Sequence, residues 1–198
     1  MGCNVHAYIE YEQPDGSPQH LGKVQIKRDY YLFFLIAGVR GEVSGELPVV
    51  PKKGLPEKMH WRLCEEAYLC VVDGDEVPPN CCSRDNAEKW GAAYVDDAKR
   101  YIRNPHYGSH TWLTLDEVEE VIRRFEARRV PNYIQLKDHE DVPDGYKLDV
   151  DKWMGYRLAY NSQASAAVPV EFLAIRGAMR ELDAVGAKPK LILWFDNE

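Results

Sequence analysis

The sequence predicts an α+β fold, with α/β as the alternative, in which about three to five helices pack on a mixed sheet. Two segments carry this prediction. Residues 3–12 alternate apolar and polar side chains, as a half-buried strand does, and residues 190–197 contain a continuous apolar run that is typical of a strand covered on both faces. Segments between them space their apolar residues as helices do. We therefore expect the N-terminal hairpin and the C-terminal strand to share one sheet.

Length and composition restrict the classes of function that the chain can have. With 45% hydrophobic residues, residues 1–198 are expected to form a single domain. A formal net charge of -7 argues against binding to bulk nucleic acid or to an anionic membrane surface. No apolar run approaches the ~20 residues that cross a bilayer. Five cysteines without regular spacing are typical of a reducing compartment, so we expect a cytoplasmic protein that is not associated with a membrane.

The first elements are a hairpin and a short helix. Residues 3–12 and 21–28 flank a turn rich in Pro and Gly at residues 13–18, which favours an antiparallel hairpin. Residues 30–37 are apolar nearly all round and lie between Asp29, a residue type that caps helices, and Gly38, a typical stop. This pattern predicts a buried helix, with a central strand as the alternative.

Further helices are predicted at residues 59–72, 87–103, 116–128 and 166–185. The third of these follows a capping box of Thr114 and Glu117, and the last has Pro169 in its first turn and Gly186 after its end. Two segments are expected to lack regular structure. Residues 38–57 form a long loop that could cover a pocket, and residues 131–165 are polar and irregular.

The candidate site lies where the first and last strands meet. If these strands are antiparallel neighbours, Asn4 and His6 lie close to Asp196 and Asn197 at one edge of the sheet. Such a cluster is either a pocket for a ligand or metal, or a network of hydrogen bonds that ties the strand ends together. Both interpretations stay open at the level of sequence.

A metal-dependent hydrolase is one alternative for this cluster. Many dinuclear metallophosphoesterases open with Asp-x-His, but this chain has the uncharged Asn4 in the first position. We therefore expect no metal cofactor, with a divalent metal held by His6 and Asp196 as the alternative. In an enzyme, His6 would be the catalytic group, with Asp196 or Glu10 orienting it.

Nucleotide binding requires fewer groups than catalysis. Arginines bind phosphate, aromatic rings stack on bases, and amides bind base edges. Because the sequence holds no complete catalytic set, we expect a binding protein rather than an enzyme. The predicted ligand-binding residues are Asn4, His6, Arg28, Arg40, His110, Trp112, Asp196 and Asn197.

Five blocks are distinctive: residues 1–10 (Met-Gly-Cys-Asn-Val-His-Ala-Tyr-Ile-Glu), 28–40, 54–56, 109–114 and 193–197 (Leu-Trp-Phe-Asp-Asn). Together they resemble a family of bacteriophage and prophage proteins. The family typically carries Asp where this chain has Asn4. The resemblance implies an accessory protein of the infected host's cytoplasm that counters host defence by capturing or degrading a nucleotide signal.

These observations lead to one main hypothesis and two alternatives. The main hypothesis is an anti-defence protein that binds and sequesters a phosphorylated nucleotide, such as a cyclic dinucleotide or a cyclic ADP-ribose derivative. The first alternative is a phosphoesterase that degrades such a nucleotide. The second is a protein inhibitor of a host factor that uses the loop at residues 38–57 as its contact surface. Homo-oligomers are compatible with all three.

Overall fold

A computed structural model of the chain describes residues 3–39, 46–74, 76–129, 132–137, 139–148, 157–161 and 166–196. These residues form two compact units, the first from Met1–Val121 and Pro169–Glu198, the second from Ile122–Val168. The prediction of a single domain stays a prediction. The helices are α1 (Tyr30–Ala37), α2 (Trp61–Ala67), α3 (Arg84–Lys89), α4 (Leu115–Ala127) and α5 (Val170–Ala184). The strands are β1 (Asn4–Glu12), β2 (Pro18–Val24), β3 (Tyr68–Val72), β4 (Cys81–Ser83), β5 (Tyr101–Arg103), β6 (Tyr107–Leu113), β7 (Asn132–Leu136), β8 (Lys147–Leu148), β9 (Arg157–Asn161) and β10 (Lys188–Asp196).

The four-stranded sheet of the first unit has the order β2-β1-β10-β6. All three strand pairs are antiparallel. This sheet contains the N-terminal hairpin and the C-terminal strand, as predicted, and the α+β class is confirmed. Asn4 lies opposite Asp196, and Glu12 lies opposite Lys188 at the other end of the pair. The two strand ends that carry the candidate site are therefore direct neighbours.

Both faces of this sheet are covered. On one face, the ring of Phe195 packs edge to face against Phe33 of α1, with 5.1 Å between the ring centroids. On the other face, Leu63 of α2 joins Tyr8 and Trp194 in a buried cluster. The polar face of β1 is therefore not an open surface, and Tyr8 is only 2% exposed. Tyr8 is buried because Leu63 and Ala67, two apolar residues of α2, pack over the aromatic side chains of the sheet.

The predicted helix signals act as expected. The Asp29 carboxylate accepts a hydrogen bond from the Leu32 N–H at 2.9 Å, and Gly38 ends α1 with a φ of 67°. Residues 30–37 are thus the buried helix and not a central strand. At α4, the Glu117 N–H donates to Thr114 Oγ1 at 3.3 Å while the Thr114 N–H donates to Glu117 Oε2 at 2.9 Å. This reciprocal pair is a capping box.

Two helix predictions are wrong over half or more of their length. The segment 59–72 forms α2 only as far as Ala67 and then becomes β3, which pairs with β4 and β5. The segment 87–103 is helical only to Lys89, since Gly91 adopts a φ of 62° and Tyr101–Arg103 is a strand. A short apolar run fits a helix and a strand equally well, so strand pairing decided both outcomes. The predicted helix at 166–185 starts later, at Val170, directly after Pro169.

The second unit holds a further correction. Residues 131–165 were expected to be irregular, but they contribute the antiparallel strands β7, β9 and β8, in that order. These strands are only two to five residues long, which is too short to show a clear period in the sequence. The predicted loop 38–57 has no helix or strand in its described residues, 38–39 and 46–57. Across the described ranges, no helix has the length and hydrophobicity to span a membrane.

Candidate functional site

The end of the β1–β10 pair carries a group of four polar residues, Asn4, His6, Arg28 and Asp196, which we call the strand-end cluster. Asp196 Oδ1 accepts the backbone N–H of Asn4 at 2.9 Å, and Oδ2 accepts the Asn4 side-chain amide at 3.3 Å. The Nε2 of His6 lies 3.4 Å from the same Oδ2 and donates to it in the tautomer protonated there. Arg28 Nη2 donates to Asn4 Oδ1 at 2.6 Å. The antiparallel pairing thus brings together three of the predicted residues, and Arg28 joins them through its hydrogen bonds to β1.

The electrostatics of the strand-end cluster favour an ionised Asp196. Burial opposes ionisation of this carboxyl, yet the hydrogen bonds from Asn4 and His6 outweigh burial and lower its pKa. Arg28 also donates from Nε to the carbonyl oxygen of Cys3 at 3.0 Å, which holds its guanidinium against β1. Most polar groups of the cluster therefore bind one another. This pattern favours a clasp between strand ends over an open ligand site.

The other predicted binding residues lie elsewhere on the sheet. Trp112 pairs with Ile192, four positions along β10 from Asp196, which is about 13 Å at 3.3 Å per residue. Its ring faces the ammonium of Lys53, 4.1 Å from the ring centroid. His110 packs near Trp194, with 6.3 Å between ring centroids.

Three further predicted residues have separate outcomes. Glu10 is only 1% exposed, and its Oε2 accepts the His60 N–H at 2.6 Å, so its carboxylate serves the start of α2 and does not orient His6. Burial raises the pKa of Glu10, against the lowering effects of the His60 N–H and of Lys190. Arg40 and Asn197 lie outside the described residues.

A cleft of about 360 Å³ opens beside the strand-end cluster, between α2 and the first sheet. Its walls combine aromatic rings, carboxylates, amides and one guanidinium. Its volume lies at the lower end of the range for small-molecule sites, about 300–1,000 Å³. The lining residues are Tyr8, His20, Trp61, Arg62, Glu65, Glu66, Tyr68, Leu69, Asn80, Asn104 and Tyr107.

The inner wall of the cleft is a hydrogen-bonded pair. The Tyr8 hydroxyl donates to Glu66 Oε2 at 2.9 Å. Burial raises the pKa of Tyr8, and the adjacent Glu66 carboxylate raises it further, so the phenol keeps its proton. Burial also lowers the pKa of His20, with smaller effects from His60 and Arg62, which keeps this imidazole neutral at pH 7.

Tyr107 joins the cleft to the strand-end cluster. It lies opposite Asp196 in the sheet and lines the cleft, and its ring centroid is 4.9 Å from that of His6. Burial raises the pKa of Tyr107, helped by the negative charges of Glu66 and Asp196. The phenol is therefore a neutral wall between an acidic cleft and the His6–Asp196 pair.

Sequence reasoning missed most of the cleft. The alternation along β1 placed Tyr8 on the same face as His6, which was a usable signal. The spacing of Arg62 and Glu66 puts them on one side of a helix, but no local pattern indicated that α2 covers β1. The cleft depends on packing between elements more than 50 residues apart in the chain, such as Tyr8 and Glu66, which are separated by 58 positions.

Neither the arrangement of potential metal ligands nor comparison with known proteins assigns a function to the cleft. Among the described residues, no group of three or more His, Cys, Asp or Glu side chains is arranged to hold a metal ion. No protein-family model, curated protein or solved structure matches the chain.

Proposed function

We propose that this chain binds a phosphorylated nucleotide in the cleft and sequesters it without converting it. The observation that carries the proposal is the combination of aromatic walls and polar groups around one cavity of about 360 Å³. Nucleotides present a flat aromatic base and several hydrogen-bonding edges, which such a cavity complements. In the setting implied by the phage resemblance, the ligand is a nucleotide signal of host defence.

The cleft offers separate surfaces for base and phosphate. Trp61 is 57% exposed at the rim, so much of its side-chain surface is accessible to a base. The guanidinium of Arg62 lies 5.3 Å from the Trp61 ring centroid and supplies a cation for phosphate at the same rim. The volume suits one nucleotide unit, so a cyclic dinucleotide would place one base in the cleft and leave the other outside.

The test is ligand capture followed by identification. Purified protein is incubated with cyclic dinucleotides, ADP-ribose derivatives and mononucleotides, separated from free ligand, denatured and analysed by mass spectrometry. Release of an intact nucleotide is expected. Recovery of no nucleotide from the whole panel contradicts the proposal.

Two substitutions then locate the binding site. Stacking contributes about 1–3 kcal/mol per base, so Trp61→Ala is expected to weaken binding about 5- to 150-fold in calorimetry. Trp90→Ala is the matched control, because Trp90 is 43% exposed and does not line the cleft. Arg62→Ala should weaken binding of the phosphorylated ligand more than of its nucleoside, with Lys89→Ala as the charge control. Unchanged affinity in both cleft variants would place the ligand elsewhere.

Hydrolysis is a second candidate function, supported by the His6–Asp196 pair. A carboxylate that holds an imidazole by hydrogen bonding is the arrangement of many general bases, and Tyr107 places this pair next to the cleft. In the same capture experiment, hydrolysis would release a converted nucleotide. His6→Ala would then abolish conversion while binding persists.

A further inference from the structure

The cleft contains an exposed carboxylate, that of Glu66, which a hydrogen bond orients through one oxygen and which keeps its other oxygen as an unused acceptor. Glu66 Oε2 accepts the Tyr8 hydroxyl at 2.9 Å, and Tyr8 is held in β1 with 2% of its surface exposed. Within the described part of the chain, no hydrogen bond involves Glu66 Oε1, although the residue lines the cleft. A ligand in the cleft therefore meets a preoriented acceptor whose second oxygen is available.

The other polar groups of the cleft further restrict which hydrogen-bonding groups a ligand must present. Glu65 adds a second carboxylate, so two of the lining side chains accept hydrogen bonds and donate none when ionised. Asn104 uses its side-chain oxygen to accept the His106 N–H at 3.0 Å, which leaves its NH₂ group as a donor. A suitable base must present N–H donors towards the carboxylates and an acceptor elsewhere on its edge.

Guanine meets this requirement better than the other bases. Its N1–H and N2–H₂ groups are adjacent donors that match the two oxygens of one carboxylate, because Oε2 keeps a second lone pair beside the Tyr8 hydroxyl. Its O6 and N7 atoms are acceptors for an amide or a guanidinium. Adenine presents the lone pair of N1 beside its N6 amine, which would face a carboxylate oxygen with an acceptor. Uracil has a single N–H between two carbonyls.

We propose that Glu66 is a specificity-determining residue that makes the cleft selective for guanine-bearing nucleotides, with Tyr8 as its positioning residue. This inference rests on the proposed function, since it names the ligand class of the same cleft. A good bidentate contact between a side chain and a base gives about 1–3 kcal/mol of discrimination, which is about 5- to 150-fold in affinity.

The experiment compares GMP, IMP and AMP on the full chain by isothermal titration calorimetry. IMP keeps the N1–H and lacks the N2 amine, so the expected order of affinity is GMP, then IMP, then AMP. Glu66→Gln should reduce the ratio of GMP to AMP affinity towards one. Glu88→Gln, an exposed carboxylate of α3 outside the cleft, should leave the ratio unchanged. Tyr8→Phe should lower the ratio in part, because the carboxylate loses its fixed orientation.

The outcomes separate this inference from the proposed function. If no nucleotide binds the unmodified chain, the proposed function fails. If nucleotides bind and AMP equals GMP, or if the preference survives in Glu66→Gln, the guanine assignment alone is overturned. The ranking of the three nucleotides on the unmodified chain needs no variant, so a folding defect in Glu66→Gln leaves the inference testable.

Discussion

Asp196→Asn tests whether the strand-end cluster acts as a clasp. In the native cluster, Oδ1 accepts the Asn4 N–H at 2.9 Å, while Oδ2 accepts both the Asn4 amide at 3.3 Å and His6 Nε2 at 3.4 Å. An asparagine at this position can keep the first bond through its oxygen. Its NH₂ group would then replace Oδ2 and face the Asn4 amide and, in the tautomer protonated at Nε2, the His6 N–H, so neither of the other two bonds forms in that tautomer.

The size of the effect follows from these distances. Hydrogen bonds to charged groups contribute about 1.5–3 kcal/mol, but both lost bonds are long and the Asp196 side chain is 22% exposed to water. We therefore expect about 0.5–1 kcal/mol for each, and a loss of about 1–2 kcal/mol in the free energy of unfolding. For a chain of this size, that lowers Tm by about 2–8 °C.

The pH dependence gives the prediction a sign. The folded-state pKa of Asp196 is lowered, so its contribution is fully present above the unfolded pKa of about 3.9 and is lost as pH falls through the folded value. Urea unfolding at pH 7, 4.5 and 3 should show a constant difference between Asp196→Asn and the unmodified chain at the two higher values. The difference should shrink at pH 3.

The control is Asp97→Asn, an exposed aspartate without a hydrogen-bond partner in the described part of the chain. It should leave the free energy of unfolding within about 0.5 kcal/mol of the starting value. An Asp196→Asn variant as stable as the unmodified chain, or equally destabilised at all three pH values, would refute the reasoning.

Three further predictions concern buried or half-buried groups of the first unit. Burial raises the folded-state pKa of Glu10, so the stability that this group contributes is present below its unfolded pKa and is lost as pH rises through the folded value. The Tm of Glu10→Gln relative to that of the unmodified chain should therefore increase from pH 4 to pH 8. A constant difference in Tm would contradict this. Leu63→Ala, at a fully buried position beneath the cleft, should cost about 2–5 kcal/mol in urea unfolding, and a loss under 1 kcal/mol would show that α2 does not cover the sheet. Burial and the neighbouring Cys70 raise the pKa of the Cys81 thiol, so iodoacetamide should alkylate Cys81 more slowly at pH 7.5 than it alkylates free cysteine, as followed by peptide mass spectrometry.

The sequence predicted those features that a short local pattern specifies. Asp29 and Gly38 marked the two ends of α1 correctly, because a helix cap and a left-handed glycine act within a few residues of the helix end. The Thr114 capping box predicted the start of α4 and the apolar run at residues 190–197 predicted β10, because each is also a local pattern. The proximity of Asn4 to Asp196 was conditional on antiparallel pairing, and once that pairing formed, the register fixed the contact.

The features that were missed depend on packing between distant segments. Residues 68–72 are β3 because they pair with β4 and β5, which a local apolar run does not reveal. The cleft is another example. Glu66 acquires its orientation from a tyrosine 58 positions earlier, and the chain between them carries no signal for that contact. Strand pairing and the cleft are therefore properties of the folded sheet, whereas caps and stops can be predicted from the sequence.

The position of β10 has a consequence for synthesis on the ribosome. β10 lies between β1 and β6, yet it is the last described strand of the chain. The hydrogen-bond partner of Asn4, Asp196, is therefore synthesised 192 residues later. Until residues 188–196 emerge, the hairpin of β1 and β2 exposes an unpaired edge, and contacts at such long sequence separation slow folding. The β1–β2 hairpin should consequently complete its pairing only after residues 188–196 leave the ribosome, and its open edge favours association with other chains until then.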